Sequence, residues 1–132
     1  MSDSVLVLIV DDEALILHTF QDAFEEGGFA VATAATAEKA MALLEAEGAA
    51  YKALVTDVNL GGKLTGWDVA KRSRELVPDM PVVYITGAAA DEWASNGVPN
   101  SILINKPFAP AQLLTAVSQL LNIRSTALPP PS

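Results

Sequence analysis

Acidic residues in this chain gather where apolar runs stop. Asp11, Asp12 and Glu13 follow Leu8-Ile9-Val10, and Asp57 follows Leu54-Val55-Thr56, with Asn59 two residues on. Two later apolar runs end in Thr86-Gly87 and in Lys106-Pro107-Phe108. If these ends share one edge of a sheet, at least three carboxylates stand beside a hydroxyl and an ammonium. Crowded carboxylates cost free energy through mutual repulsion and lost hydration. A hard divalent cation offsets that cost, and a ligand set of oxygens alone points to Mg2+ (or Mn2+) rather than zinc. Such a site suits phosphoryl transfer, which needs an in-line nucleophile, a bridging metal and fixed donors for the remaining oxygens. Carboxylates can form acyl phosphates, so Asp57 is the candidate nucleophile. Asp11 and Asp12 are the candidate metal holders, with Thr86 and Lys106 on the phosphoryl oxygens.

Each residue also has a plainer use. Asp11 or Asp12 alone could cap a helix, and Asp57 alone could serve a turn. Thr86 is an ordinary β-branched strand residue, and a lone lysine is usually solvated. Two successive acids followed by Glu13 exceed what a cap requires, and a further acid at another strand end strengthens the functional reading. Pro107 restrains the backbone of Lys106 and is a candidate cis bond, which would fix the direction of the lysine side chain. Gly61, Gly62 and Gly66 read equally well as loop freedom or as close backbone approach to a ligand. His18 is expected on the exposed side of the first helix.

Five short apolar runs, over 5–10, 29–33, 53–56, 82–86 and 102–104, predict strands. Several are β-branched and continuous, as in strands covered on both faces. Helical spacing fills the gaps. Ile16, Phe20 and Phe24 form one stripe, ended by Gly27-Gly28. Thr36 is the expected N-cap of a helix over 37–47 that buries Ala40, Leu43 and Leu44 and is closed by Gly48. Val69, Arg72, Ser73 and Leu76 mark a third, stopped by Pro78. A weaker pattern covers 89–95, and Leu113, Val117, Leu120 and Leu121 follow Pro110 in the clearest stripe. Strands alternating with helices give right-handed crossovers and a parallel sheet with helices on both faces. In such α/β sheets ligands sit outside the carboxyl ends of the strands, where the candidate residues stand.

A chain of 132 residues suffices for one compact domain without staples. Residues 1–123 are expected to form it, followed by an extended Pro-rich tail over 124–132. Cysteine is absent, which removes disulfides, thiolate metal sites and a Cys nucleophile. A net charge of −8 argues against direct nucleic-acid binding, which normally uses a basic stripe. The N-terminus has no secretory pattern and no apolar run is long enough for a membrane span, so a cytoplasmic protein is expected.

Together these segments resemble the receiver domain of bacterial two-component response regulators. The likeness covers Val5 to about Leu121 and rests on Leu8-Ile9-Val10-Asp11-Asp12-Glu13, Thr56-Asp57-Val58-Asn59, Ile85-Thr86-Gly87 and Asn105-Lys106-Pro107-Phe108, in that order. It implies a doubly wound, flavodoxin-like (βα)5 fold with a five-stranded parallel sheet of order 2-1-3-4-5. It further implies that Asp57 is phosphorylated from a sensor histidine kinase or histidine phosphotransfer protein, largely by the receiver's own catalysis. Asp12 would bind the metal directly, Asp11 through a water, and Asn59 through its backbone carbonyl. Thr86 would swing toward the phosphoryl group and Lys106 would pair with it. Two departures stand out. Many receivers carry Tyr or Phe three residues before the lysine, where this chain has Leu103. The loop Gly61-Gly62-Lys63-Leu64-Thr65-Gly66 is longer than usual and lacks the common proline. In this family the positions of Asn59 and Ala88 modulate phosphoryl lifetime.

A stand-alone signalling domain is therefore expected, acting on an unknown downstream protein or in a phosphorelay, and not as a dedicated turnover enzyme. Trp93, Leu103 and the exposed side of the last helix are the expected readout surface. A constitutive receiver-fold interaction module is the alternative, favoured by Leu103 and opposed by the intact Asp57, Asp12, Thr86 and Lys106 set. An aspartyl-phosphate phosphatase would need Asp where Glu13 stands, and no Gly-x4-Gly-Lys-Ser/Thr loop is present.

Overall fold

The computed structural model describes residues 5–87, 93–106 and 109–126. Five strands, β1 (Leu6–Val10), β2 (Ala30–Ala34), β3 (Ala53–Asp57), β4 (Val82–Thr86) and β5 (Ile102–Asn105), pair in parallel in the order β2-β1-β3-β4-β5. The helices are α1 (Ala14–Glu26), α2 (Ala37–Glu47), α3 (Gly66–Leu76), α4 (Trp93–Asn96) and α5 (Pro110–Thr126). This is the doubly wound α/β fold expected from the alternating runs.

Strand pleating divides the core in two. Leu8, Val10, Leu54, Val82 and Tyr84 face α2 and α3, where they meet Ala40, Leu44, Trp67 and Val69. Val7, Ile9, Val55, Val83 and Ile85 face the other way, onto Leu17, Phe20 and Phe24 of α1 and Leu113 and Val117 of α5. The three inner strands are buried on both sides, which is why their sequences run apolar without alternation.

The helix ends follow local chemistry. The Lys39 N–H donates to Thr36 Oγ1 at 3.0 Å, so Thr36 is the N-cap of α2 as expected. At the end of α1, Gly28 takes φ +94° and the Phe29 N–H donates to the Phe24 carbonyl at 2.9 Å. The end of α2 falls at Gly48 as expected, but without a left-handed residue. Gly48 keeps right-handed φ, −51°, and the chain turns on through a 3-10 turn, Gly48–Ala50, before β3.

Other packing details also differ. In α1, Leu17 is the buried partner of Phe20 and Phe24, while Ile16 is only half-buried. In α3 the buried stripe is Gly66, Val69, Ala70 and Ser73, and Leu76 is exposed because the helix ends there, one residue before its C-cap Val77. α5 runs through Thr126, so residues 124–126 are helical rather than tail; the first proline after Pro110 comes only at 129, too late to stop them. Residues 127–132, and most of the helix expected over 89–95, lie outside the described residues.

Candidate functional site

Asp11 continues the row of Val7 and Ile9 just past β1, and Asp57 ends the row of Ala53 and Val55 on β3. Because β1 and β3 are neighbours in register, the shared row brings the two carboxyls side by side. Asp12, one residue on, stands exposed at the mouth. One carboxylate oxygen from each of Asp11, Asp12 and Asp57 lies within 4.8 Å of the other two.

Backbone donors hold the inner two. The Glu13 N–H donates to Asp11 Oδ1 at 2.9 Å, and the Asn59 N–H donates to Asp57 Oδ1 at 3.1 Å. Both bonds span two residues, so each acid makes an Asx-type turn that leads the chain out of the strand. From the far strand, Lys106 Nζ donates to Asp57 Oδ2 at 3.0 Å. Its backbone N–H is anchored in turn on the Thr86 carbonyl at 2.8 Å. Asp11 is 0% exposed and Asp57 4%, so both charges sit out of bulk water.

Asp11 Oδ2 is the outstanding atom. Among the described residues it is the one buried side-chain oxygen or nitrogen without a hydrogen-bond partner. Native proteins rarely leave such an atom unsatisfied. Burial pushes the Asp11 carboxyl up to about 6; the Glu13 N–H and Lys106 oppose this, while the charges of Asp57 and Asp12 add to it. Burial alone would lower the Lys106 ammonium, but its hydrogen bond to Asp57 and the charges of Asp57, Asp11 and Glu13 outweigh that and raise it. An orphaned, crowded carboxylate oxygen beside two further acids fits a hard divalent cation. The acidic group can therefore hold a metal.

The cleft over these residues has a volume of about 620 Å3 and is also lined by Thr65, Trp67, Thr86 and Gly87. Its floor depends on Gly66. A Cβ at that position would overlap the Asp57 carbonyl, and the Gly66 N–H donates to the Val58 carbonyl at 2.8 Å. Gly66 is thus a close-approach glycine. Gly61 takes φ +75°, and a Cβ there would stand 3.1 Å from Asp12 Oδ2, so the loop lies against the acid.

Over residues 7–118 the chain matches the sequence model of the response regulator receiver domain. The chain belongs to that family. A crystal structure of a response regulator receiver protein from Sinorhizobium medicae is 49% identical, with a TM-score of 0.89 over 92% of this chain and 98% of that one. The BeF3-activated DrrB receiver domain is 26% identical, with a TM-score of 0.75 over 90% of this chain and 98% of that one. Among curated relatives, the alginate biosynthesis transcriptional regulatory protein AlgB of Pseudomonas aeruginosa is 35% identical over 120 residues, 89% of this chain and 26% of AlgB. The sensor kinase CckA of Brucella abortus is 28% identical over 123 residues, 92% of this chain and 13% of CckA. The chain thus spans about a quarter or less of those relatives.

The receiver's expected residues fall into two groups. Asp11, Asp12, Asp57, Asn59, Thr86 and Lys106 lie together around or beneath one cleft. Leu103 and Trp93 lie away from it. Leu103 is half-buried on β5, in register with Tyr84. Trp93 is 38% exposed, and its indole N–H donates to Ser101 Oγ at 2.9 Å. Pro107 and Ala88 lie outside the described residues. His18 is exposed and pairs with Asp22 at 3.5 Å, one turn along α1. Among the described residues no helix is long and apolar enough to cross a membrane.

Trp67 and Thr65 also line the cleft, and Thr65 was not among the expected site residues. A signal existed for the second. Thr65-x-x-Asp68 is a capping box, in which Asp68 Oδ2 accepts the Thr65 N–H at 2.8 Å and Thr65 Oγ1 accepts the Asp68 N–H at 3.4 Å. That box fixes the start of α3, and therefore Gly66 and Trp67, against the end of β3.

Proposed function

We propose that this receiver accepts a phosphoryl group on Asp57 from the phosphohistidine of a sensor histidine kinase or histidine phosphotransfer protein, with Mg2+ (or Mn2+) bound, and that a downstream protein or relay partner reads the result. Chief support comes from Asp57 itself, a buried carboxylate caught between an acidic pair and the Lys106 ammonium.

A side-chain oxygen of Asp57 attacks phosphorus as the donor's P–N bond breaks, and the imidazole leaves with the bonding pair. The product is an acyl phosphate. Asp11, Asp12, Asp57 and the backbone carbonyl of Asn59 would hold the metal, which when bound neutralises charge on the carboxylates and phosphoryl oxygens. The Asn59 N–H keeps Asp57 Oδ1 oriented throughout. Lys106 sits on a flexible stem, so its ammonium can pass from Asp57 Oδ2 to a phosphoryl oxygen as charge moves outward. Thr86 supplies a hydroxyl donor from the end of β4. Trp67 lines the cleft, and Gly66 lets the start of α3 approach the Asp57 carbonyl closely.

In this role the chain is a signalling phosphoacceptor rather than a dedicated turnover enzyme. Phosphorylation adds charge and acceptor oxygens where donors are already arranged, which biases a two-state equilibrium.

Beryllofluoride, a phosphoryl mimic, provides the test. Added with Mg2+, it should shift the emission of Trp67 in the wild-type protein and leave Asp57→Asn unmoved. A folded wild-type protein whose Trp67 emission ignores beryllofluoride would overturn the phosphoacceptor reading in favour of a constitutive interaction module.

A further inference from the structure

The aromatic ring that many receivers carry at the position of Leu103 has a counterpart one strand away. Tyr84 is the register partner of Leu103 on β4, and both pack on the α2–α3 side of the sheet. It is 0% exposed and lies two residues before Thr86, in the same row of the strand. Its ring stands 4.5 Å from that of Trp67, tilted by 59°. Trp67 in turn lines the acidic cleft. At the other end of the ring, the Tyr84 hydroxyl oxygen accepts the Val98 N–H at 3.1 Å.

From Val98 the contacts continue outward. Ser101 Oγ donates to the Val98 carbonyl at 2.6 Å, and accepts the Trp93 indole N–H at 2.9 Å. The loop carrying Val98 is also tied to α3. Arg74 Nη1 donates to the Pro99 carbonyl and Nε to the Met80 carbonyl, both at 2.6 Å. Gly97 lies flat against Trp93, since a Cβ there would overlap the indole. The loop is thus gripped from β4, α3 and α4.

We propose that Tyr84 is a positioning residue that couples occupation of the acidic cleft to Trp93, through Trp67 on one side and Val98 and Ser101 on the other. This rests on the phosphoacceptor reading of the cleft. A group bound above Asp57 presses on Trp67 and draws on Thr86, and either movement tilts the ring between them. The tilt carries the Tyr84 hydroxyl against Val98, and the bond from Ser101 passes the movement to the indole. Packed rings and short hydrogen bonds favour discrete arrangements over gradual bending. Trp93 is the exposed end of the series, so its orientation is what a partner protein would meet. With Leu103 in the place of the usual aromatic, the ring that does the coupling lies inside the sheet face and the reporting ring lies on α4.

The two tryptophan indole N–H signals of the full chain test this in one 1H–15N spectrum, with and without Mg2+ and beryllofluoride. In the wild-type protein both should shift. In Tyr84→Phe, which removes only the hydroxyl, the Trp67 signal should still shift on loading and the Trp93 response should be lost. Ser101→Ala tests the next link without touching the buried ring and should likewise silence Trp93 while Trp67 responds. If Trp93 shifts in Tyr84→Phe as it does in the wild type, or stays still in the loaded wild type while Trp67 moves, the coupling is wrong. If neither signal moves in the wild type, the phosphoacceptor reading itself fails.

Discussion

At the ends of β1 and β3, two buried carboxyls are each fixed by a backbone N–H two residues on. Across the sheet, Leu103 is half-buried by strand packing and Trp93 is held at the surface through one hydroxyl. The first region places charge where water is scarce and leaves one carboxylate oxygen unsatisfied. The second satisfies its polar groups and leaves apolar surface in water. A site that stores electrostatic cost is built to be changed by a ligand. A site that exposes an anchored aromatic is suited to contact with a partner. The proposed chemistry and the proposed readout thus occupy separate parts of the fold, with Tyr84 between them.

The comparison breaks most sharply at Gly66. A methyl group there has no room against the Asp57 carbonyl, so Gly66→Ala should lower stability by about 3 kcal/mol, seen as a lower urea midpoint. A near-neutral substitution would mean that the floor of the cleft yields easily. Next comes Asp11. Its carboxyl is raised to about 6 from an ordinary 3.8, so the folded protein binds that proton more tightly than the unfolded chain does. Metal-free stability should therefore fall as pH rises from about 4 through 6 and level off above it, by roughly 1–3 kcal/mol. Asp11→Asn should remove that slope, stabilise the metal-free protein at pH 7 and weaken Mg2+ binding. Stability that rises through the same window would contradict the sign.

Smaller effects sharpen the contrast. Asp12 is exposed, so Asp12→Ala should barely move the thermal midpoint while weakening Mg2+ about tenfold by calorimetry, since affinity follows ligand charge. Wild-type affinity would take Asp12 off the ligand set. Lys106 is partly exposed while Asp57 is buried, so removing the lysine leaves a carboxylate short of its counter-charge at less cost than breaking a fully buried pair. Lys106→Ala should therefore lower the metal-free thermal midpoint modestly and bind Mg2+ normally, yet slow labelling by acetyl phosphate. Normal labelling would reduce that lysine to a surface residue.

The sheet was legible because its inner strands are buried on both faces, leaving continuous β-branched runs that end abruptly in polar residues. Those abrupt ends also exposed the site, since Asp11, Asp12, Asp57, Thr86 and Lys106 all follow from where strands stop. Which of two adjacent acids is buried could not be read, because it depends on the row each joins in a neighbour's register. Leu76 looked inward by spacing, yet the helix ends there and leaves it in water. Gly66 stayed ambiguous until its distance to Asp57 was known. Tyr84 gave no local signal, as its meaning comes from Trp67 and Val98, both distant in sequence.

The most direct measurement is the intact mass of the protein after incubation with acetyl phosphate and Mg2+. The wild-type chain should gain the mass of one phosphoryl group, lose it again with hydroxylamine and gain nothing without the metal, while Asp57→Asn stays unmodified. A wild-type chain that gains no mass, or an Asp57→Asn chain that gains as much, would contradict the assignment of Asp57 as the phosphoacceptor.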